Sequence, residues 1–309
     1  MLSRVASNLY WMSRYLERAE NMARILDVGA SLALLSGQGD EQSAIEPLVI
    51  TDTLEAFNST HRPRSPDAVA RFLAWDSDHP SSIVNCLQAC RENARSVRGS
   101  ITSEMWENIN DTWLQVSAKR HLEPTDAGFF EWIKERSHLF RGVTYATVRR
   151  DQPYLFIRLG TFLERADNTA RILSVKHARL ETAGHDEDQG LADHYKLSAV
   201  LRSVSALEAY RDTYRDAIDA HRVAQLLIFD PTLPRSLRFC FDEVQLILAE
   251  MPQTQARAAR RLAAHIVALL EHGELADVYG VGLDAFLERF LRNNVRLGES
   301  LQAAYMEIK

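Results

Sequence analysis

"LERAENMARIL" at residues 16–26 returns as "LERADNTARIL" at 163–173, and nine of the eleven positions are identical. A helix that only had to pack would keep its apolar side and let its wet side drift. Here Glu17, Arg18, Asn21 and Arg24 are matched by Glu164, Arg165, Asn168 and Arg171. At 100° per residue, Glu17, Asn21 and Arg24 fall within about 60° of one another and make one stripe. Trp11, Met12, Tyr15, Leu16, Ala19, Met22, Ala23 and Leu26 form a broad apolar face, with Arg14, Glu17, Glu20, Asn21 and Arg24 opposite. Arg18 lies at the boundary of the two faces, where a guanidinium can be half-buried and still meet a carboxylate. Two readings of the stripe stand. It forms buried inter-helix ion pairs that set register more than they stabilise, because desolvation offsets most of the Coulomb gain. Or it forms a ligand site, since perturbed ion networks occur in both settings.

The helical period extends along nearly the whole chain: residues 45–58, 66–75, 81–98, 102–120, 126–149, 153–182, 191–215, 219–229, 234–250, 254–272 and 282–307 all show it. No convincing period-two strand is present. Breaks are expected at "SGQGDEQS" (36–43), "HRPRSP" (61–66), "DSDHP" (76–80), "HLEPTD" (121–126), "AGHDEDQG" (183–190) and "DPTLP" (230–234), where Gly or Pro stands beside short polar residues.

A second pair of segments repeats in the same order. "VARFLAWDSDHPSSIVNCL" (69–87) aligns with "VAQLLIFDPTLPRSLRFCF" (223–241) at an offset of 154, against 147 for the first pair, and seven of nineteen positions agree. The expected fold class is therefore all-α: a helical bundle built as one domain over 1–309 from two tandemly duplicated, pseudo-symmetric halves, about 1–147 and 148–309. Both repeated helices are expected to be long and to turn Glu17 and Glu164 inward. In the second motif, Asp76 and Asp230 end a helix, and Pro80 or Pro234 is expected to open the next one beside a serine. Arg235 and Arg238 then lie near a helix start, where the dipole does not favour cations. An anion held by Arg235 and Ser236 at that end would resolve the mismatch.

Composition narrows the function classes. With 46% hydrophobic and 25% charged residues and only 13 Gly and 9 Pro, the chain has the make-up of a soluble globular protein rich in helix. A formal charge of −6 with interspersed signs leaves no basic stripe for nucleic acid. Arg4, Arg14, Glu17 and Arg18 interrupt the N-terminal region, so neither a signal peptide nor a membrane span is expected and the location is expected to be cytoplasmic. The three cysteines, an odd number without a C-x-x-C pair, are expected to be buried free thiols. Arg91, Arg95 and Arg98 share a face of the polar segment 89–110, which is either a solvated surface or a carboxylate or phosphate receptor. Glu135 and His138 have E-x-x-H spacing, but no second such pair completes a di-metal bundle site. No Walker loop, dinucleotide fingerprint, G-x-S-x-G or H-E-x-x-H occurs, so no metal or cofactor is expected.

"MLSRVASNLYWMSRYLERAENMARILDV", "ENARSVRGSITSEMWENIN", "LGTFLERADNTARIL" and "LPRSLRFC" resemble, in order, the motifs of the alpha-E family, an all-helical bacterial domain named for its Glu-Arg motif. The resemblance covers essentially the whole chain. It departs at "TYATVRRDQPYLF", where Val148 and Tyr154 replace an expected methionine and tryptophan. The resemblance implies a neighbourhood: circularly permuted ATP-grasp proteins, which activate carboxylates as acyl phosphates, often with transglutaminase-like peptidases. It implies a non-autonomous partner or substrate-binding component of an amide or peptide ligase system, taking a peptide or a carboxylate or phosphate ligand. The alternative is a stand-alone hydrolase or transferase, with Glu17 or Glu164 as general base and arginines stabilising an oxyanion.

Overall fold

The first Glu-Arg segment lies inside a 33-residue helix, α1 (Ser3–Leu35), in the computed structural model, which describes residues 2–35, 41–181, 187–252 and 256–307, with the backbone alone for 32–35, 176–181 and 187–193. The expected breaks at 36–43 and 183–190 fall partly outside the described residues; 41–43 and 187–190 already belong to the helices that follow. Fifteen α-helices and no strand occur among the described residues, so the chain is all-α.

The chain divides into two compact units. The first comprises Met1–Glu164 and Gln302–Lys309. In it α1 packs mainly against α5 (Ile83–Ser96) and α7 (Ala127–Thr147), flanked by α2 (Glu41–Ile50) and α4 (Pro66–Trp75). α3 (Leu54–Asn58) follows α2, and α6 (Ser103–Lys119) packs on α5 and α7. The first half of α8 (Gln152–Glu181) completes this unit. Residues 19 to 26 of α1 are all buried, so its core stretch has no wet side.

The second unit, Arg165–Leu301, holds the rest of α8, then α9 (Glu187–Ser203), α10 (Leu207–Tyr214), α11 (Ala220–Phe229), α12 (Leu237–Glu250), α13 (Arg257–His272), α14 (Leu275–Val281) and α15 (Leu283–Tyr305) up to Leu301. Here α12 packs on α13 and α11. The expected helices at 45–58 and 191–215 are each two, because local turns intervene, with Asp52 and Ser205 at positive φ.

Short polar residues start the helices. Ser65, Ser82, Thr102, Asp126, Asp219 and Ser236 each accept a hydrogen bond from the backbone N–H three residues on. Asp76 and Asp230 end α4 and α11 as expected, and the Oδ1 of each accepts two backbone N–H groups of the following turn. Pro80 and Pro234 do not open the next helices. They stand two residues ahead of the capping serines, outside the helix, because Ser82 and Ser236 satisfy the free N–H groups there.

Candidate functional site

The carboxylate of Glu164, on α8, is gripped by two arginines of α1. Arg14 Nε donates to Oε2 at 2.7 Å, and Arg18 donates through Nε to Oε1 at 2.5 Å and through Nη2 to Oε2 at 3.1 Å. The Arg18 fork is bidentate, the strongest geometry for such a pair. Its remaining Nη1 reaches Ser81 Oγ at 3.3 Å. Arg14 also donates to Tyr10 Oη and lies over the rings of Tyr10 and Trp11, while Arg18 lies over Tyr15. Helix geometry produces this, since residues 10, 14 and 18 recur every fourth position on one side of α1.

Burial of Glu164 would by itself raise its pKa. The charges of Arg18 and Arg14 and their hydrogen bonds override that and hold it down at about 2. Glu164 in turn pushes Arg18 further above the usual arginine value, against the opposing effect of burial. The sign of the pH effect follows. A carboxylate with a depressed native pKa adds stability that is fully present above the ordinary value of 4.5 and is lost as pH falls toward 2. Urea unfolding at pH 6, 4, 3 and 2 should therefore narrow the gap between wild type and Glu164→Gln by about 3 kcal/mol as the pH drops. A gap independent of pH would show that Glu164 is not the group being protonated.

Glu17 and Glu20, on the other flank of α1, meet α7. Arg141 Nη1 donates to Glu17 Oε2 at 3.0 Å, to Glu20 Oε2 at 2.5 Å and to Ser137 Oγ at 3.0 Å. Ser137 Oγ donates to Glu20 Oε2 at 2.7 Å, and Arg24 donates to Glu20 Oε1 at 2.9 Å. Arg24 Nη2 also lies 3.1 Å from His138 Nε2. A guanidinium has no lone pair, so that contact is a hydrogen bond when Nε2 is the unprotonated nitrogen. Glu17 and Glu20 are 2% and 0% exposed. The stripe that the wheel sets opposite the apolar face is thus interior, because a neighbouring helix supplies the counter-charges.

Sequence reasoning named Glu17, Arg18, Asn21, Arg24 and Glu164 for this region and missed Arg14, Glu20, Ser137 and Arg141 as members. The spacing of Ser137, His138 and Arg141 at i, i+1 and i+4 on α7 was the available signal. Asn21 is buried in the same helix.

In the second unit Arg165 is 7% exposed, and its Nη1 donates to the Pro234 carbonyl at 3.3 Å. Thr169 Oγ1 donates to the Arg235 carbonyl at 2.8 Å. The arginines of the two repeated segments therefore reach the proline-serine turn of their own unit, Arg18 at Ser81 and Arg165 at Pro234. Arg171 pairs with Asp167, which also accepts from Asn294; Asn168 is buried. Arg235 is buried, Ser236 caps α12, and Arg238 pairs with Asp242 and Glu271. The hydroxyl of Ser236 both accepts from Phe239 N–H and donates to the Asp230 carbonyl, so its proton is committed to the turn.

Among the described residues, Arg91 and Arg95 of α5 and Arg98 in the turn after it have no acid common to all three. Arg91 meets Asn110 and Glu92, Arg95 meets Glu92, and Arg98 lies over Trp106. Glu135 is exposed, and among the described residues no group of three or more His, Cys, Asp or Glu could hold a metal ion. Cys86, Cys90 and Cys240 are buried free thiols, and burial pushes Cys86 up to about 12, far from a reactive thiolate. At the α7–α8 junction Tyr154 is flanked by the guanidiniums of Arg150 and Arg158.

The sequence matches, over residues 1–306, the family described as Alpha-E, "a predicted alpha-helical domain with a conserved ER motif". The chain belongs to the Alpha-E family. Four Glu-Arg dipeptides occur in it, at 17, 135, 164 and 288, and the glutamates of the first and third, Glu17 and Glu164, are buried. Curated relatives of this Alpha-E chain are an uncharacterized protein of Mycobacterium bovis and two of Mycobacterium tuberculosis, each 25% identical over 313 residues. The alignments cover 93% of this chain but 35% of each relative, so the chain spans about a third of the length of the curated relatives it matches. No solved structure matches it.

Proposed function

We propose that this Alpha-E chain is a non-autonomous component of an ATP-grasp amide or peptide ligase system in the cytoplasm, where it presents a peptide, acyl or amine substrate or positions the ligase. The observation that carries the reading is the state of Glu164: it is held ionised at about 2 with both oxygens engaged by arginine, so at neutral pH it is neither a proton acceptor nor a donor. Glu17 and Glu20 are likewise tied to arginine. A carboxylate in the state of Glu164 holds a scaffold and does not drive acid–base chemistry, which weighs against a stand-alone hydrolase that uses Glu164. In the relatives the matching segment is a minority of a longer chain, as suits a module that works beside other domains. The ATP-grasp association itself is what the family resemblance implies.

The same reading takes the two Glu-Arg helices as products of a tandem duplication. The turns at 76–82 and 230–236, each closed by a C-capping aspartate and an N-capping serine, support it.

The deciding experiment reconstitutes the system. The pure chain should leave peptides and ATP unchanged, while a mixture with the ATP-grasp protein encoded beside it should form an amide product and release ADP and phosphate. Turnover of peptides by the pure chain alone would replace this reading with the hydrolase one. An ATP-grasp protein equally active without the chain would end it.

A further inference from the structure

One end of the first unit gathers arginines and open aromatic rings. Thr102 Oγ1 and Thr147 Oγ1 lie 2.9 Å apart, which ties the start of α6 to the last turn of α7. Beside that tie, Trp106 carries the Arg98 guanidinium 4.7 Å from its ring centroid and that of Arg91 at 5.8 Å. On the α7–α8 junction, Arg150 is held between Tyr154 at 4.1 Å and Tyr145 at 4.6 Å, and its Nη2 donates to the Tyr145 carbonyl at 2.7 Å. Tyr145 is 72% exposed. Arg149, next along, is exposed too.

Among the described residues the guanidiniums of Arg98 and Arg149 make no hydrogen bond or ion pair, and Arg150 meets only the Tyr145 carbonyl and the two rings. The acids nearest in sequence to these arginines are Glu92, Glu104, Glu107 and Asp151, and Glu92 is already shared by Arg91 and Arg95. Arg91, Arg95, Arg98, Arg149, Arg150 and Arg158 outnumber them.

We propose that this arginine and aromatic end is a docking surface whose occupant is an acidic segment of a protein partner. The proposal rests on the reading of the chain as a component of a larger system and names the surface through which it would join. Tyr, Trp and Arg are the residues that carry most binding energy at protein interfaces. A guanidinium already stacked on a ring presents its donors pre-ordered, so a carboxylate that meets it immobilises little further side-chain freedom. The field also selects the occupant. The chain as a whole carries −6, which opposes a long polyanion such as nucleic acid or an anionic bilayer. A short acidic segment feels mainly the local cations, within a Debye length of about 8 to 10 Å.

The test uses the full chain and a short poly-L-glutamate peptide as the probe, with phosphatidylserine vesicles and single-stranded DNA as competitors of other classes. Arg98→Glu with Arg149→Glu is compared with the charge-matched pair Arg261→Glu and Arg296→Glu, two exposed arginines of the second unit. The first pair should weaken poly-glutamate binding by about tenfold, the second by less than about twofold. Tyr145→Ala, which removes no charge, should weaken it by about threefold to fivefold. Equal losses in the two charge-reversed pairs would reduce the effect to net charge and overturn the proposal, as would tighter binding to vesicles or DNA than to poly-glutamate. Co-elution with the ATP-grasp protein separates the two readings. If the Arg98 and Arg149 reversals leave co-elution intact, the docking surface fails and the ligase reading stands. If wild type binds poly-glutamate here but never co-elutes, the ligase reading fails and the surface stands.

Discussion

Glu164→Gln should destabilise the first unit by about 3 to 5 kcal/mol at neutral pH, the largest single effect expected in this protein. The substitution keeps the shape of the side chain but removes the charge that Arg14 and Arg18 converge on. Two guanidiniums, 14% and 27% exposed at their side chains, are then left partly desolvated without their shared acceptor. Breaking a buried pair costs far more than the pair contributes net, because the stranded charge keeps its desolvation penalty. Replacing all three groups by apolar ones, Arg14→Met, Arg18→Met and Glu164→Leu, should therefore recover much of the loss. Urea unfolding followed by circular dichroism reads both. A triple variant less stable than Glu164→Gln would mean that the arginines do structural work beyond pairing with Glu164.

Gly160→Val should cost about 3 kcal/mol, by a different mechanism. A Cβ at this position would run into Ser13 Oγ and the Tyr10 carbonyl oxygen, and the second of these is backbone that a rotamer change cannot move. α1 and α8 approach this closely only because position 160 has no side chain, and the approach helps bring Arg14 and Arg18 within reach of Glu164. Gly142 on α7 provides the contrast. A Cβ there meets nothing within 4 Å, so Gly142→Ala should stabilise the helix by about 0.5 to 1 kcal/mol. Thermal unfolding of the two variants should move in opposite directions from wild type. Equal and small shifts would show that α1 and α8 can separate freely at Gly160.

Most helices were legible because their signals are local. The 3.6-residue period and the polar residues that begin each run act over a single turn, so Pro66 to Trp75, Ala127 to Thr147 and Gln152 to Glu181 are found within about two residues of their observed limits. The short helices were harder. α3 and α14 hold five and seven residues, too few for a period to show. The residues of the candidate site were half legible: an internal repeat reveals which polar groups persist, but not what they touch.

The amino-acid sequence by itself determined that the chain is helical, that Glu17, Arg18, Glu164 and Arg165 belong to a recurring motif, and that the cysteines are unpaired. These follow from composition, from periodicity and from self-similarity, none of which requires knowing which helix lies beside which. Only the tertiary structure decided that Glu164 pairs with Arg14 and Arg18, residues 150 and 146 positions away, and that Glu20 is closed in by Ser137 and Arg141 of α7. The physical reason is the range of the interaction. A helical wheel places charges on a face of one helix, whereas burial and pairing depend on the helix packed against that face. Thus the stripe expected to turn inward is the ion-paired interior of α1, and only the packing names its partners.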